Sequence, residues 1–402
     1  MSNHTNHSEW PICASYEAYS AVRFGLISAG SVLCVVGVVS NFLLVYIFAG
    51  PRRHRLNADS FYQAVLAIFD LLLCAMYVLI FETDAISFFL KLPLAHDLLF
   101  SFLKETFVAS RVVQMVIAYL LIFASFERLL IICKPSNACL RHFLTRCARQ
   151  LISLLVIISC VLLRIPMFIA LEIYEYEQCP DYFKTKQLIT TGFAETHFFQ
   201  TYSLYVINSA QIFVPCALLL LLNFVIMVKM TSSHQQIERV YGSSEAHQPN
   251  IFQSMAIRYV ISRQRRTSRS AILTIVVIAS TNLLCSTTNT VLTLLEQFYP
   301  SVLMESGAWS PTYVIIGDIL SFLYVLCSAV RLVVYYTCNA EVRSIVKKVL
   351  FGARPMWSNS PPKRKNCIPP GTEFLSQGGV FMVAEMNGKG VIFEDEDEEI
   401  MV

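Results

Sequence analysis

Long apolar stretches recur along the chain, and they constrain its fold more than any other feature. Seven are long enough to cross about 30 Å of hydrocarbon as a helix, which takes roughly 20 residues. They are 24–48, 61–82, 107–133, 150–171, 204–230, 271–295 and 312–337. The fourth, sixth and seventh contain polar groups: Arg164, Asn282 with Asn289, and Arg331. Only 15% of the residues are charged, too few for a water-facing surface, since soluble domains carry roughly 25%. The pattern predicts an all-α membrane protein, a bundle of seven transmembrane helices.

The positive charges lie mostly on one side of these predicted spans. That side carries Arg52, Arg53, Arg55, Lys134, Arg141, Arg146, Arg149, Arg258, Arg263, Arg265, Arg266, Arg269, Arg343, Lys347 and Lys348. The short loops of the other side carry only Arg23, Lys91, Lys104, Lys184 and Lys186. The positive-inside rule therefore predicts an extracellular N-terminus and a cytoplasmic C-terminus, as an odd number of spans requires. The first twenty residues lack a basic region followed by an apolar one, so no cleavable signal peptide is expected.

The predicted extracellular N-terminal segment, 1–20, contains two kinds of candidate modification site. Asn3 and Asn6 begin N-x-Ser/Thr triplets, and we expect them to be glycosylated. Cys13 and Cys179 are the two cysteines placed clearly outside. They are each other's obvious disulfide partners, unless each remains free.

The membrane domain is expected to span 21–352 and to be followed by a cytoplasmic tail, 353–402. After the seventh span, Ile345, Val346, Val349 and Leu350 form one helical stripe opposite basic residues. This pattern is typical of a short helix lying on a membrane surface and contacting its lipids. The tail ends in FEDEDEEIMV and is predicted to be disordered. It is interpreted either as a solvated tail or as a PDZ ligand with Val402 at the end and Ile400 two before it.

The stretch ASFERLLIICKP, residues 124–135, places Glu127 and Arg128 near the inner end of an apolar helix that Pro135 terminates. Charges in such positions tend to be paired and functional, although snorkelling side chains that anchor a helix end are the simpler interpretation. Further distinctive residues, most of them polar or helix-breaking, occur in order on other spans. They are Asn41 in the first, Leu66, Ala67 and Asp70 in the second, Pro215 in the fifth, and Tyr335 with Asn339 at the end of the seventh.

This ordered set resembles the rhodopsin-like family of G-protein-coupled receptors, over all seven spans. The resemblance implies a plasma-membrane receptor that binds an extracellular ligand and activates a heterotrimeric G protein. It implies that Glu127 holds Arg128 at rest and that Arg128 faces the G protein on activation. Pro135 and Tyr335 would belong to the same switch. Arrestin and a PDZ-type protein are candidate partners of the tail, and no nucleic acid or cofactor is expected.

The chain departs from the family pattern at three places. Arg331 and Leu332 stand where the seventh span of the family has Asn-Pro, the sixth span has no Trp or Pro, and the family's third-span Cys is replaced near Leu103. In the family, the second-span Asp and seventh-span Asn face each other across a sodium site. We therefore expect Asp70 to form an ion pair with Arg331, with backbone carbonyls or water as the alternative partners of Arg331. The third departure suggests that Cys179 reaches Cys13 instead.

Four polar residues in the outer halves of the spans are candidate ligand contacts. They are Arg111, Gln114, Asp318 and Tyr324, although mutual or local pairing would equally explain Arg111 and Asp318. The third span has no carboxylate between Glu105 and Glu127, which argues against small amine ligands. The acidic outer loop, about 172–203, would suit a basic peptide, as in invertebrate neuropeptide receptors.

Other functional classes have less support in the sequence. Thr267 and Ser268 follow basic residues in the inner loop 231–270 and are candidate phosphorylation sites or G-protein contacts. Alternatively, this segment only supplies the positive charge that orients the sixth span. We find no metal-binding or phosphate-binding motif that would indicate an enzyme. A transporter would show repeated halves with broken spans, and a channel of the odorant type would have the reverse orientation. A polytopic transporter or channel-like chemosensory protein remains the alternative.

Overall fold

A computed structural model describes most of the predicted membrane domain. The described residues are 13–14, 20–49, 61–133, 137–243, 274, 276–289, 291–292, 294–295, 299, 304–305, 308–309, 311–350, 375–377, 380–382, 384–387, 390–395 and 398–401. The words outer and inner are used below for the ends that the charge distribution predicts to face the outside and the cytoplasm. Spans are numbered as in the predicted set of seven.

The structure is mostly helical, and six of its described helices are long and apolar enough to cross a membrane. They are Ala21–Ala49, Phe61–Phe89, Pro93–Cys133, Arg146–Ile169, His197–Lys229 and Tyr313–Cys338. They correspond to the first five predicted spans and to the seventh. In the predicted sixth span, residues 276–289 are helical. The protein is therefore a helical membrane protein with six candidate spans in the part of the chain that the structure describes.

The third and fifth helices extend furthest beyond their predicted apolar stretches. The third begins at Pro93 rather than at 107, because Pro is favoured in a first helical turn and neither Gly nor Pro follows it in the helix. Lys91, in the preceding turn, has a φ of 55°. The fifth continues as Val214–Ser243, so the first part of the predicted loop 231–270 is helical. An apolar stretch predicts only the part of a helix that crosses the hydrocarbon, and the helix can continue beyond either end of that part.

Two spans contain π-helical turns. The second runs as Phe61–Tyr77, a π segment Val78–Glu82, and Thr83–Phe89. The fifth begins with His197–Thr201 and continues through two π segments, Tyr202–Ile207 and Ser209–Phe213. Such turns insert an extra residue into the helix and occur frequently at functional sites.

The third helix occupies the centre of the bundle. It packs against the second, fourth and fifth helices, while the first packs against the second and seventh. Met115, Val116 and Leu120 of the third helix are fully buried. By contrast, Val32, Val39 and Phe42 of the first helix are exposed. This arrangement, with the most buried helix inside and apolar side chains outside, is expected of a bundle surrounded by hydrocarbon.

The outer loop after the fourth helix forms a β-hairpin. Strands Leu171–Glu175 and Lys186–Thr190 pair antiparallel, and a short 3-10 helix, Tyr182–Lys184, lies between them. A disulfide joins Cys179 of this loop to Cys13. The backbone N–H of Ala14 also donates to the carbonyl of Lys184 at 3.0 Å. The loop is therefore tied to the segment before the first helix. A second, shorter hairpin pairs Met304–Glu305 with Ala308–Trp309.

A helix, Ala340–Leu350, follows the seventh span. Its buried residues Val342 and Val346 are four positions apart, whereas Lys347, Lys348 and Val349 are exposed. The buried stripe is thus one turn nearer the N-terminus than the predicted stripe. Arg343 donates to the carbonyls of Tyr336 and Thr337, at 3.0 and 2.7 Å, and so caps the seventh helix.

The tail that was predicted to be disordered contains five short strands. They are Leu375–Gln377, Val380–Met382, Ala384–Asn387, Gly390–Asp395 and Glu398–Met401, paired antiparallel within a two-stranded and a three-stranded sheet. Ile400 belongs to the last strand.

A close approach between the first and second helices generates a stability prediction. A Cβ atom at Gly30 would lie 2.3 Å from Tyr77 Oη and 2.7 Å from its Cζ, and the Tyr77 ring stacks on Phe81. We expect Gly30→Ala to destabilise the protein by about 1–3 kcal/mol, as overpacking usually does. The melting temperature of detergent-purified protein would measure this. Gly25→Ala is the matched control, because no atom lies within 4 Å of its Cβ position. Equal melting temperatures for the two variants would contradict the close approach.

The disulfide generates a second prediction. Cys13→Ser and Cys179→Ser should lower stability by the same amount, about 2–4 kcal/mol, because each removes the same cross-link. The double variant should be no less stable than either single one. Melting temperatures would test this, and mapping of non-reduced peptides would show the linked pair directly. Additive losses would indicate that the two cysteines act separately.

Candidate functional site

The middle of the bundle contains a buried ion pair. Arg331 of the seventh helix donates through Nη1 to Oδ2 of Asp70 in the second helix. Their side chains are only 4% and 1% exposed. A carboxylate or a guanidinium alone at this depth would be costly, and the contact compensates each charge with the other. The two residues that the sequence analysis paired are therefore in contact.

Two neutral side chains extend this pair into a polar network. Asn41 of the first helix donates through Nδ2 to Ser328 Oγ at 3.1 Å and to the Gly37 carbonyl at 2.9 Å. Ser328 lies three residues before Arg331, on the same face of the seventh helix, and its side chain also hydrogen-bonds to Asp70. The first, second and seventh helices thus meet at one buried polar centre, named here the central network: Asn41, Asp70, Ser328 and Arg331.

A second charged centre lies at the inner end of the bundle. Arg149 Nη2 of the fourth helix lies 2.5 Å from Glu127 Oε1 of the third, and both side chains are about 95% buried, at 4% and 5% exposure. The structure places Arg149 of the fourth helix against Glu127, the residue that the resemblance assigns to its neighbour Arg128. Thr145 caps the fourth helix by accepting from the N–H of Ala148 at 3.3 Å. The helix therefore begins early enough to place Arg149 inside it rather than in a loop.

Sequence reasoning missed Arg149 because it counted this residue among the orienting charges of an inner loop. A helical spacing signal was present nevertheless. Arg149, Ser153, Val156, Cys160 and Arg164 recur at intervals of three and four, and all are buried on one face of the fourth helix. An arginine on a stripe that continues into the core is expected to face a neighbouring helix.

Arg128 and Tyr335 lie near each other at the inner end. Tyr335 is 4% exposed and packs edge-to-face on Phe48, with ring centroids 5.1 Å apart. Both Arg128 and Arg331 are close enough to Tyr335 to influence it electrostatically. Tyr335 is therefore close both to the central network and to Arg128.

The four candidate ligand residues do not share one environment. Asp318 accepts a hydrogen bond from Arg23 Nε at 2.8 Å, and Arg23 Nη2 lies 3.7 Å from Asp84. Local pairing therefore explains Asp318, with a partner in the first helix that sequence reasoning did not identify.

Of the other three candidates, Arg111 of the third helix and Tyr324 of the seventh are close to each other. The Arg111 guanidinium lies 5.3 Å from the centroid of the Phe107 ring. Tyr324 hydrogen-bonds to Ser286 and is close enough to Arg111 to be influenced by its charge. Oε1 of Gln114 is buried and has no hydrogen-bond partner among the described residues. Arg111, Gln114 and Tyr324 thus remain together as candidate contacts, without Asp318.

An aromatic cluster holds the outer hairpin against the start of the third helix. His96 is fully buried among the rings of Phe100, Tyr182 and Phe183, with centroids 4.8 to 5.7 Å away. Hydrogen bonding to Asp97 raises the pKa of Tyr182 above its ordinary value. This packing and the disulfide between Cys13 and Cys179 together fix the outer hairpin against the start of the third helix.

Several predicted residues lie outside the part of the chain that the structure describes: Asn3, Asn6, Pro135, Thr267, Ser268 and Val402. Within the described part, no group of three or more His, Cys, Asp or Glu residues is arranged to hold a metal ion.

The buried pair generates a double-variant prediction. Arg331→Met should destabilise the protein by about 3–5 kcal/mol, because it leaves the Asp70 carboxylate buried without its cation. The double variant Asp70→Asn/Arg331→Met removes both charges and should recover most of that loss. Melting temperatures of the purified single and double variants would measure the coupling. Additive losses from the two substitutions would show that the residues do not interact.

Comparison with known proteins assigns no family, since no protein-family model matches the chain and no curated protein matches it either.

Proposed function

We propose that this protein is a receptor of the G-protein-coupled type, with an extracellular N-terminus, a plasma-membrane location and seven spans. It binds an extracellular ligand between the outer ends of its helices and activates a heterotrimeric G protein at the inner ends. It is not an enzyme in this proposal. The helix Ala340–Leu350 lies along the inner membrane surface, with Lys347 and Lys348 facing the lipid headgroups.

The observation that carries the proposal is the chain of charged contacts along the bundle axis. The central network joins the first, second and seventh helices, and the Glu127–Arg149 pair joins the third to the fourth. Tyr335 is close to Asp70 and Arg331 of the central network and also to Arg128. Buried ion pairs are two-state elements, because their partners either meet or separate by a helix displacement. A ligand that binds one arrangement more tightly shifts the population toward it.

Arg149 modifies the switch that the resemblance implies. At rest, Glu127 is held by a guanidinium from the fourth helix, so the inner end of the third helix is anchored to its neighbour. Activation then requires the third and fourth helices to loosen at this pair before Arg128 turns toward the G protein. Arrestin and a PDZ-type protein are proposed as later partners of the tail.

The central network supports a second part of the proposal. Arg331 supplies a tethered cation to Asp70, where the related receptors bind sodium. Signalling should therefore be insensitive to sodium.

A peptide ligand is favoured, because the outer hairpin carries Glu172, Glu175 and Glu177 on a surface that is largely exposed. These carboxylates attract basic side chains and raise the rate of encounter.

A reporter assay tests the function. Cells expressing the full chain with a promiscuous G protein would be screened with a peptide library, and an N-terminal epitope tag would be stained on intact cells. We expect at least one ligand to give a response that Arg128→Ala reduces at least tenfold at equal surface staining. Arg141→Ala is the matched control, because Arg141 is an exposed inner arginine of the short helix Ala138–His142. An intact response in Arg128→Ala, or a tag reachable only after permeabilisation, would contradict the proposal.

A further inference from the structure

The fourth helix carries a buried arginine whose charge the described side chains do not neutralise. Arg164 lies five residues before the outer end of this helix, and only 3% of it is exposed. Among the described residues, the titratable groups close enough to interact with the charge of Arg164 are Arg111, Tyr202 and Cys160. None of these is a carboxylate. Its situation differs from that of Arg23, Arg149 and Arg331, each of which contacts an acidic side chain.

The hydrogen-bond donors of Arg164 are only partly used. Nη1 donates to Met167 Sδ at 3.1 Å, which is a weak acceptor. Nε and Nη2 are buried and have no hydrogen-bond partner among the described residues. These two nitrogens lie on one edge of the planar guanidinium, and this edge forms two parallel hydrogen bonds with a carboxylate. The donors without a partner are therefore the pair that recognises a two-oxygen anion.

A second cation strengthens the preference for an anion. Arg111 of the third helix is close enough for its charge to repel that of Arg164. One anion between two guanidinium groups replaces this repulsion by two attractions, which are strong in a medium of low dielectric constant. Gln114, one turn from Arg111, adds a buried amide whose Oε1 has no partner among the described residues. Arg111 and Gln114 were already candidate ligand contacts, and Arg164 places a third group beside them.

The neighbouring part of the fifth helix has irregular backbone. Its π segments, Tyr202–Ile207 and Ser209–Phe213, begin at a tyrosine whose hydroxyl donates to the Leu163 carbonyl at 2.8 Å. Tyr202 is also one of the groups close to Arg164. Because π-helical turns occur frequently at functional sites, these segments mark the surroundings of Arg164 as a candidate site.

We propose that the ligand carries a carboxylate, which Arg164 binds through Nε and Nη2 while Arg111 supplies the second positive charge. The inference rests on the proposed function, because it names the ligand class of the same outer half of the bundle. Two sources present this group: the free C-terminus of a peptide and a small organic acid. A peptide with basic side chains and a free C-terminus would satisfy both the acidic hairpin and the buried arginine.

Binding is tested without any signalling readout. The full-length chain, purified in a neutral detergent, would be heated with three sets of probes. The sets are straight-chain carboxylic acids from acetate to dodecanoate, peptides as free acids beside their C-terminal amides, and an anionic phospholipid. We expect one acid, and not its uncharged amide or alcohol analogue, to raise the melting temperature, because a ligand that binds the folded state stabilises it.

Four variants decide whether Arg164 is the contact. Arg164→Gln should weaken binding of that acid at least tenfold, and Arg164→Lys should weaken it less, because it keeps the charge but loses the paired donors. Arg146→Gln is the matched control, since Arg146 is exposed at the inner end of the same helix, and it should bind normally. Arg164→Met without ligand should be as stable as the natural chain, because it removes an uncompensated buried charge.

Three outcomes would overturn the inference: no carboxylate changes the melting temperature, only the phospholipid does, or Arg164→Met is strongly destabilised. The last would make Arg164 a structural residue. A carboxylate that binds through Arg164 but never activates a G protein would leave this inference standing and count against the proposed function. The peptide acids and the small acids separate the two sources.

Discussion

The cost of a charge in hydrocarbon dominates the structure, and the contact between Asp70 and Arg331 is its clearest expression. Each side chain would be expensive at this depth alone, so the second and seventh helices must be in register for either to be tolerated. Asn41 and Ser328 then bring the first helix into the same register. Three helices are therefore fixed relative to one another by four side chains, around which the apolar packing is arranged.

At other levels of the bundle, charged side chains are compensated by other partners. At the outer rim Arg23 binds Asp318, and at the inner end Arg149 binds Glu127. The first contact joins the first and seventh helices, which are distant in sequence, and the second joins the consecutive third and fourth helices. Arg164 lies between these levels with a weak sulfur acceptor for one nitrogen. Among the described residues, the other buried arginines, Arg149 and Arg331, each contact a carboxylate. Arg164 is therefore expected to bind a ligand that enters from outside the protein.

The sequence predicted the positions of the helices, which depend on apolar composition. It did not predict most of the side-chain pairs that form between helices. Apolar length located the helices because hydrocarbon thickness sets a minimum span, but it could not show that the third helix begins at Pro93. Asp70 and Arg331 were paired in advance because, in the family that the sequence resembles, the residues at these two positions face each other across a sodium site. Arg149 was missed because the positive-inside rule already explains a basic residue near the inner end of a helix. Local pairing of Asp318 was left open beside ligand binding, but its partner, Arg23, was not identified because no local sequence pattern shows that the first helix approaches the seventh.

The bond between Cys13 and Cys179 has a consequence for how the protein is made. It closes a covalent ring that contains the first four candidate spans and ends before the fifth. Both sulfurs are therefore synthesised before the fifth helix is complete. The amino-terminal half can therefore be locked as a separate assembly, and the remaining helices dock onto a partner whose outer rim is already sealed.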